Sequence, residues 1–190
     1  MGLMEDEIQK ALLVLQAGGT ILYPTDTIWG IGCDATRPEA VKKVYRIKQR
    51  EDSKSMLVLL DTPNRLTSYV SEIPDVAWEL MDVADKPLTI IYSGAKNLAE
   101  NLVAADNSIG IRIAADSFCQ KLIGRLRKPL VSTSANISGN PTPKFFDEID
   151  EKIKNAVDYI VDWQQEDRTP ASPSGIIKLG PGGEVEIIRK

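Results

Sequence analysis

Three observations predict an α/β fold, a mixed β-sheet flanked by helices. Segments with helical apolar spacing alternate with short β-rich runs through the 190 residues. The alternation closes on two apolar runs around Gly180-Pro-Gly-Gly183, a hairpin signal that adds an antiparallel pair to the sheet. The Pro/Gly/Ser-rich segments 132–143 and 169–175 separate no two cores, so one domain over residues 1–190 is expected.

Each element follows from local pattern. Ile8, Ala11, Leu12 and Leu15 recur at helical spacing, and Gly18-Gly19 stops that helix. Thr20–Tyr23 reads as a buried strand closed by Pro24. Thr36-Arg-Pro-Glu39 has capping-box spacing and starts a helix to about Ile47 that buries Val41, Val44 and Tyr45. Ser55–Leu60 is a strand, Val76, Leu80 and Val83 mark a helix, and Leu88–Tyr92 is another strand. In the second half, Ser108–Ile113 is a strand and Phe118, Leu122 and Leu126 line a helix. A strand from Pro129 runs into Ser132-Thr-Ser-Ala-Asn136. Phe145–Val157 is expected as one amphipathic helix, followed by a strand at Asp158–Val161 and the hairpin of Gly175–Leu179 with Glu184–Ile188.

Composition narrows the chemistry. The chain carries a net charge of −4, with 43% hydrophobic and 26% charged residues, as soluble globular proteins do. It contains no histidine, which removes Ser-His-Asp and Cys-His nucleophile systems and His-ligated metals. Any reaction must run on Lys, Arg, Asp, Glu, hydroxyls and backbone dipoles. Two cysteines, Cys33 and Cys119, are too few for a disulfide framework or a zinc site. The acidic start lacks a signal-peptide pattern, and the longest apolar runs, Ala11–Leu15 and Met56–Leu60, are too short to span a bilayer. A cytoplasmic protein without membrane contact is expected.

Charge is unevenly placed. From Thr36 to Lys54 stand Arg37, Lys42, Lys43, Arg46, Lys48, Arg50 and Lys54 against Glu39, Glu51 and Asp52, so this stretch is +4 within an acidic chain. A local basic focus points to an anionic ligand such as a nucleotide or an RNA phosphate. Lys42, Lys43 and Arg46 read as a solvated helix face, whereas Lys48-Gln-Arg50 falls at a helix end, where α/β proteins hold ligands. In Tyr23-Pro-Thr-Asp-Thr-Ile-Trp-Gly-Ile-Gly32, Gly30 and Gly32 permit close backbone approach or a tight turn, and both readings stand. The formal dinucleotide fingerprint there fails, because Pro24–Trp29 separate it from its strand. The Ser132–Gly139 hydroxyls and amide orient a substrate or satisfy a turn. Asp147–Glu151 reads as a wet helix face, and Trp29 and Trp163 as packing residues able to stack a base.

Together, Gly18-Gly-Thr-Ile-Leu-Tyr-Pro-Thr-Asp-Thr27, Lys48-x-Arg50, Ser108-x-Gly-x-Arg112, Ser132-Thr-Ser-Ala-Asn-x-Ser-Gly139 and Pro173-Ser174 with Ile176-Ile177 resemble the YrdC-like family. These are the threonylcarbamoyl-adenylate synthases of tRNA modification. The resemblance implies a twisted mixed sheet flanked by helices, with a concave electropositive groove. It implies formation of threonylcarbamoyl-AMP and pyrophosphate from L-threonine, bicarbonate and ATP with Mg²⁺, by nucleotidyl transfer. A partner transferase then modifies tRNA. By motif, Thr27, Arg112, Ser134 and Ser174 are expected at threonine. Lys48, Arg50, Lys54, Ser108, Asn136, Lys144 and Arg189 are expected around ATP, with Lys48 and Arg50 as catalytic cations. No protein metal ligand is assigned.

The chain departs from the family pattern at Glu51, at Lys54-Ser-Met56, at Leu59, where a histidine is usual, and at Gly175. The alternative function is a YciO-like protein that binds tRNA or double-stranded RNA through the same groove, with weak or no synthase activity.

Overall fold

Gly18 lies at φ 80°, the left-handed turn that ends the first helix, and its N–H and that of Gly19 bond back to Leu15 O and Val14 O. The computed structural model describes residues 2–50 and 56–190. In chain order the elements are α1 (Leu3–Gln16), β1 (Ile21–Tyr23), β2 (Gly30–Gly32), α2 (Pro38–Lys48), β3 (Leu57–Leu60), α3 (Asp75–Val83) and β4 (Leu88–Ser93). There follow β5 (Ser108–Ile113), α4 (Ser117–Leu126), β6 (Leu130–Ser134), α5 (Glu151–Ala156), β7 (Tyr159–Ile160), β8 (Gly175–Leu179) and β9 (Val185–Arg189).

The described strands form one sheet in the order β7-β1-β2-β6-β3-β5-β4-β8-β9. It is mixed, as expected: β1 with β7, β3 with β5 and β4 with β8 run parallel, and the other neighbours antiparallel. Helices cover both faces. On one, α1 and α4 bury Ile8, Leu12, Leu15, Phe118 and Leu122 against Tyr23, Leu59 and Leu130. On the other, Val41, Val44 and Tyr45 of α2 pack with Ile31, Val58, Ile90 and Ile111. No described helix is long and apolar enough to cross a membrane.

The α1/α4 cover is incomplete, and this positions the site. In β5, Ile109 and Ile111 join the core of the α2 face, while Ser108, Gly110 and Arg112 alternate to the other side. In β6, Leu130 joins the α1/α4 core, and the same-facing Ser132 and Ser134 lie beyond it in an open groove.

Four local expectations are corrected. The capping box at Thr36 does not form: α2 has Arg37 as its N-cap, without a side-chain bond, and Thr36 donates to Asp34 Oδ1 at 2.7 Å instead. Asp34 outcompetes the helix for that hydroxyl. Phe145–Val157 is not one helix but a 3-10 turn (Phe146–Glu148) and the short α5. The break has polar causes, since Asp150 accepts the Lys152 N–H as a new N-cap and Glu148 takes the Lys144 N–H. Accordingly, Asp147–Glu151 is not a helix face. Finally, of the two readings open for Gly30 and Gly32 the turn is the one that fails: both are strand residues of β2, and Gly30 lines the groove. Ser55, the expected start of the third strand, lies outside the described residues.

Candidate active site

The groove is a cavity of about 300 Å³ across one sheet face, lined from the β1–β2 loop through β6, β3, β5, β4 and β8 to β9. That size accepts a small-molecule ligand. Of the sequence-predicted residues, Thr27, Arg112, Ser134 and Ser174 line it, as do Arg50, Ser108 and Arg189.

Pro24 ends β1 and releases the loop that carries Thr27. Thr25 Oγ1 accepts the Thr27 N–H at 3.0 Å and donates to Ile28 O at 2.8 Å, a side-chain turn that fixes the loop. Arg112 stands mid-strand in β5, in register with Leu59 on one side and Thr89 on the other. Its guanidinium is 3% exposed. Nη1 donates to Thr27 Oγ1 at 3.0 Å, and Nη2 lies 3.0 Å from Asp26 Oδ1. That ion pair is close but misaligned, so Nη2 makes no hydrogen bond through it, and Nε has no hydrogen-bond partner among the described residues either. A buried guanidinium with idle donors is costly alone and suited to an arriving anion.

Around it sit hydroxyls. Thr89 Oγ1 and Ser174 Oγ share a buried hydrogen bond of 2.7 Å. Arg189 reaches back from β9, its Nε donating to Ser174 O at 2.9 Å. Burial, and then the charge of Arg112, lower the pKa of Arg189, as expected where two guanidiniums share one groove. Ser108 Oγ donates to Asp106 Oδ1 at 2.5 Å, and Asp106 also pairs with Lys178. These contacts, the Lys178 hydrogen bond first, pull the Asp106 carboxyl down to about 2.

Lys48 lies elsewhere than expected. It is 2% exposed, beneath the groove rather than in its lining. Its ammonium donates to Ser134 O at 2.5 Å, Asn136 O at 2.8 Å and Asn136 Oδ1 at 3.2 Å, while Lys48 O accepts the Ser138 N–H. Lys48 therefore clasps the loop after β6. Gln49 then turns left-handed at φ 50°, and Arg50 emerges into the groove. Asn136 is likewise turned inward: Oδ1 accepts from Ser134 Oγ, and Nδ2 donates to Asn140 O at 2.7 Å. It lines a neighbouring cavity with Ile137, Pro141 and Pro143. Lys144 is exposed and lines neither cavity. Lys54 lies outside the described residues. Leu59, at the position where a histidine was noted as usual, is fully buried in the α1/α4 core and does not line the groove.

Two residues at the groove carry no role from the motifs, and a third, Trp29, packs as the sequence suggests. Asp26 pairs with Arg112, Thr89 with Ser174, and Trp29 lines the groove while packing at 4.8 Å on Phe146. Thr89 had a legible signal, a hydroxyl inside an otherwise apolar strand. Asp26 lies inside the Gly18–Thr27 motif, but its pairing had no local signal, because Arg112 is distant in sequence.

The sequence and the fold have counterparts. Residues 13–190 match the Sua5/YciO/YrdC family model, described as "Telomere recombination". The chain is 35% identical over 182 residues to a "Putative threonylcarbamoyl-AMP synthase" of Methanocaldococcus jannaschii, covering 93% of this chain and 84% of that one. It is 32% identical over 161 residues to a threonylcarbamoyl-AMP synthase of Pseudoalteromonas translucida, covering 83% and 86%. The structure of E. coli YciO superposes with a TM-score of 0.83 at 26% identity, over 96% of this chain and 88% of that one. P. abyssi Sua5 complexed with L-threonine gives 0.81 at 24% identity over 90% of this chain, a likeness of fold, and this chain spans 50% of that protein's length. A match from residue 13 to the last residue, with relatives above 30% identity along most of their own length, makes this chain a member of the Sua5/YciO/YrdC family.

Proposed function

We propose that the protein is a threonylcarbamoyl-AMP synthase, joining L-threonine, bicarbonate and ATP into threonylcarbamoyl-AMP with release of pyrophosphate. The observation that carries this reading is one groove that brings together Arg50, Arg189 and the buried Arg112, whose Nε has no hydrogen-bond partner among the described residues. Such a groove has cations for a carboxylate and for phosphates at once. The relatives named above are synthases, which supports this reading over RNA binding.

In this reading Arg112 takes the threonine carboxylate, with Thr27, Ser134 and Ser174 around the amino acid. Arg50, Ser108 and Arg189 face the nucleotide. The threonine amine and bicarbonate condense to a carbamate with loss of water. A carbamate oxygen then attacks the α-phosphorus, the bond from that phosphorus to the bridging oxygen breaks, and pyrophosphate leaves. The protein forms no covalent bond. It holds two anions together and offsets the charge developing on the phosphates, a task for positioned cations. Lys48 serves indirectly by fixing the loop that presents Ser134. The described residues assemble no group of three or more acidic or cysteine side chains fit to hold a metal, so no step is routed through one; Mg²⁺ would arrive on the ATP phosphates. The product is a mixed anhydride that a separate transferase would consume in modifying tRNA.

The test is pyrophosphate release from ATP with threonine and bicarbonate withheld in turn. Loss of release on omitting either is expected; release indifferent to both would refute the reading.

A further inference from the structure

Arg112 has an acidic neighbour that the family motifs do not assign. The side chain of Asp26 is 7% exposed and bridges two elements: Oδ2 accepts the Ala115 N–H at 3.1 Å, just past β5, and Oδ1 lies 3.0 Å from Arg112 Nη2. Asp26 and the adjacent Thr27 thus hold both terminal nitrogens of one guanidinium, from a loop distant in sequence. The contact with Asp26 is misaligned, and Asp26 Oδ1, Arg112 Nε and Arg112 Nη2 all lack hydrogen-bond partners among the described residues. Asp26 therefore supplies countercharge and placement without consuming the donors of Arg112. A well-aligned bidentate pair would have closed the guanidinium to any other carboxylate. With no acid there, burying the guanidinium beside Arg189 would be severely unfavourable.

We propose that Asp26 is a positioning residue for the amino-acid subsite, a counter-ion that holds the Arg112 guanidinium oriented while leaving Nε–H and Nη2–H for the carboxylate of the substrate. The proposal rests on the synthase reading for the identity of that substrate, but the geometry of the pair does not.

Two measurements test it. The first is the Arg112 Nε–H proton–nitrogen resonance in the ligand-free protein. It should be sharp and ordered in the wild type and in Asp26→Glu, and broadened in Asp26→Asn, which can still accept from Ala115. A mobile Arg112 Nε–H in the wild type would overturn the proposal without any variant having to fold. The second is steady-state pyrophosphate release. Asp26→Asn should raise the threonine KM about tenfold or more, with the ATP KM within about twofold, and Asp26→Glu should recover part of the loss. Added to Arg112→Met, Asp26→Asn should raise the threonine KM no further, because both act through one guanidinium. Equal rises in both KM values, or an unchanged threonine KM, would also overturn it. If the wild type shows no threonine-dependent release, the synthase reading fails, and the resonance still decides the role of Asp26.

Discussion

The ammonium nitrogen of Lys48 lies 2.5 Å from the main-chain oxygen of Ser134 and 2.8 Å from that of Asn136. The end of α2 is thereby tied to the loop that follows β6, and Ser134 is held at the groove wall. Substituting Lys48→Met leaves those carbonyls without their donor, at about 1–3 kcal/mol for each group left unpaired. The expected outcome is a lower melting temperature together with at least about a tenfold loss of pyrophosphate release. Lys48→Arg should not restore either, since a planar fork cannot meet acceptors arranged around a tetrahedral ammonium. A lysine acting only on bound phosphate would lose activity with no change in melting.

The same burial makes Lys48 pH-sensitive. Desolvation, and then the charge of Arg50, lower its pKa from 10.5 to about 8. Between those values the unfolded chain holds a proton that the folded chain has released. The contribution of Lys48 to stability therefore rises with pH across this window, and below pH 8 the cost of the buried charge is fully present. Chemical denaturation of wild type and Lys48→Met from pH 7 to about 10 should show the wild type gaining on the variant as pH increases. A constant difference between the two would mean that Lys48 keeps an ordinary pKa.

Arg50 is the complementary case, a cation that lines the groove itself. Arg50→Ala is expected to raise the ATP KM, lower kcat, or both, by several-fold to about hundreds-fold in kcat/KM, the range for removing one charged contact to a phosphate. The threonine KM should change much less if Arg112, as proposed, takes the threonine carboxylate. Initial rates with each substrate varied in turn check this, and equal effects on both substrates would place Arg50 differently.

Residues whose sequence neighbours set their role were legible; residues whose partners come from far along the chain were not. The Ser108–Ile113 strand was read correctly because each isoleucine alternates with Ser, Gly or Arg. The same alternation puts Arg112 on the groove face. Thr27, Ser134 and Ser174 follow strands or turns that Pro and Gly punctuate, so motif order sufficed to place them in the groove. Lys48 failed as a groove residue because its helix-end position looks alike whether the ammonium points outward or, as here, folds under a loop 86 residues further on. The pairing of Asp26 is illegible for the same reason, since its partner is on β5, although Asp26 itself stands in the Gly18–Thr27 motif. The broken helix after Phe145 was missed because apolar spacing continued while Asp150 offered a competing cap.

Gly32 was read as a turn or ligand-approach residue, and its position on β2 gives it another purpose. A Cβ there would stand 2.5 Å from Val131 O and 2.7 Å from the Tyr23 ring. Tyr23 is fully buried, and its hydroxyl donates to the same Val131 carbonyl at 3.1 Å. The ring thus fills the space that a side chain at residue 32 would need, and its hydroxyl satisfies a strand carbonyl beside it. Gly32→Ala must displace either the ring or the β6 backbone, and β6 leads directly to Ser134. Overpacking of this kind costs about 1–3 kcal/mol, so the melting temperature should fall by several degrees. The single variant Tyr23→Phe loses only the hydroxyl bond, but in the double variant Tyr23→Leu with Gly32→Ala the flat ring is gone. If the clash with the ring is the cause, the added penalty of Gly32→Ala should shrink in the Tyr23→Leu background. A penalty unchanged by the removal of the ring would assign the clash to the β6 carbonyl instead.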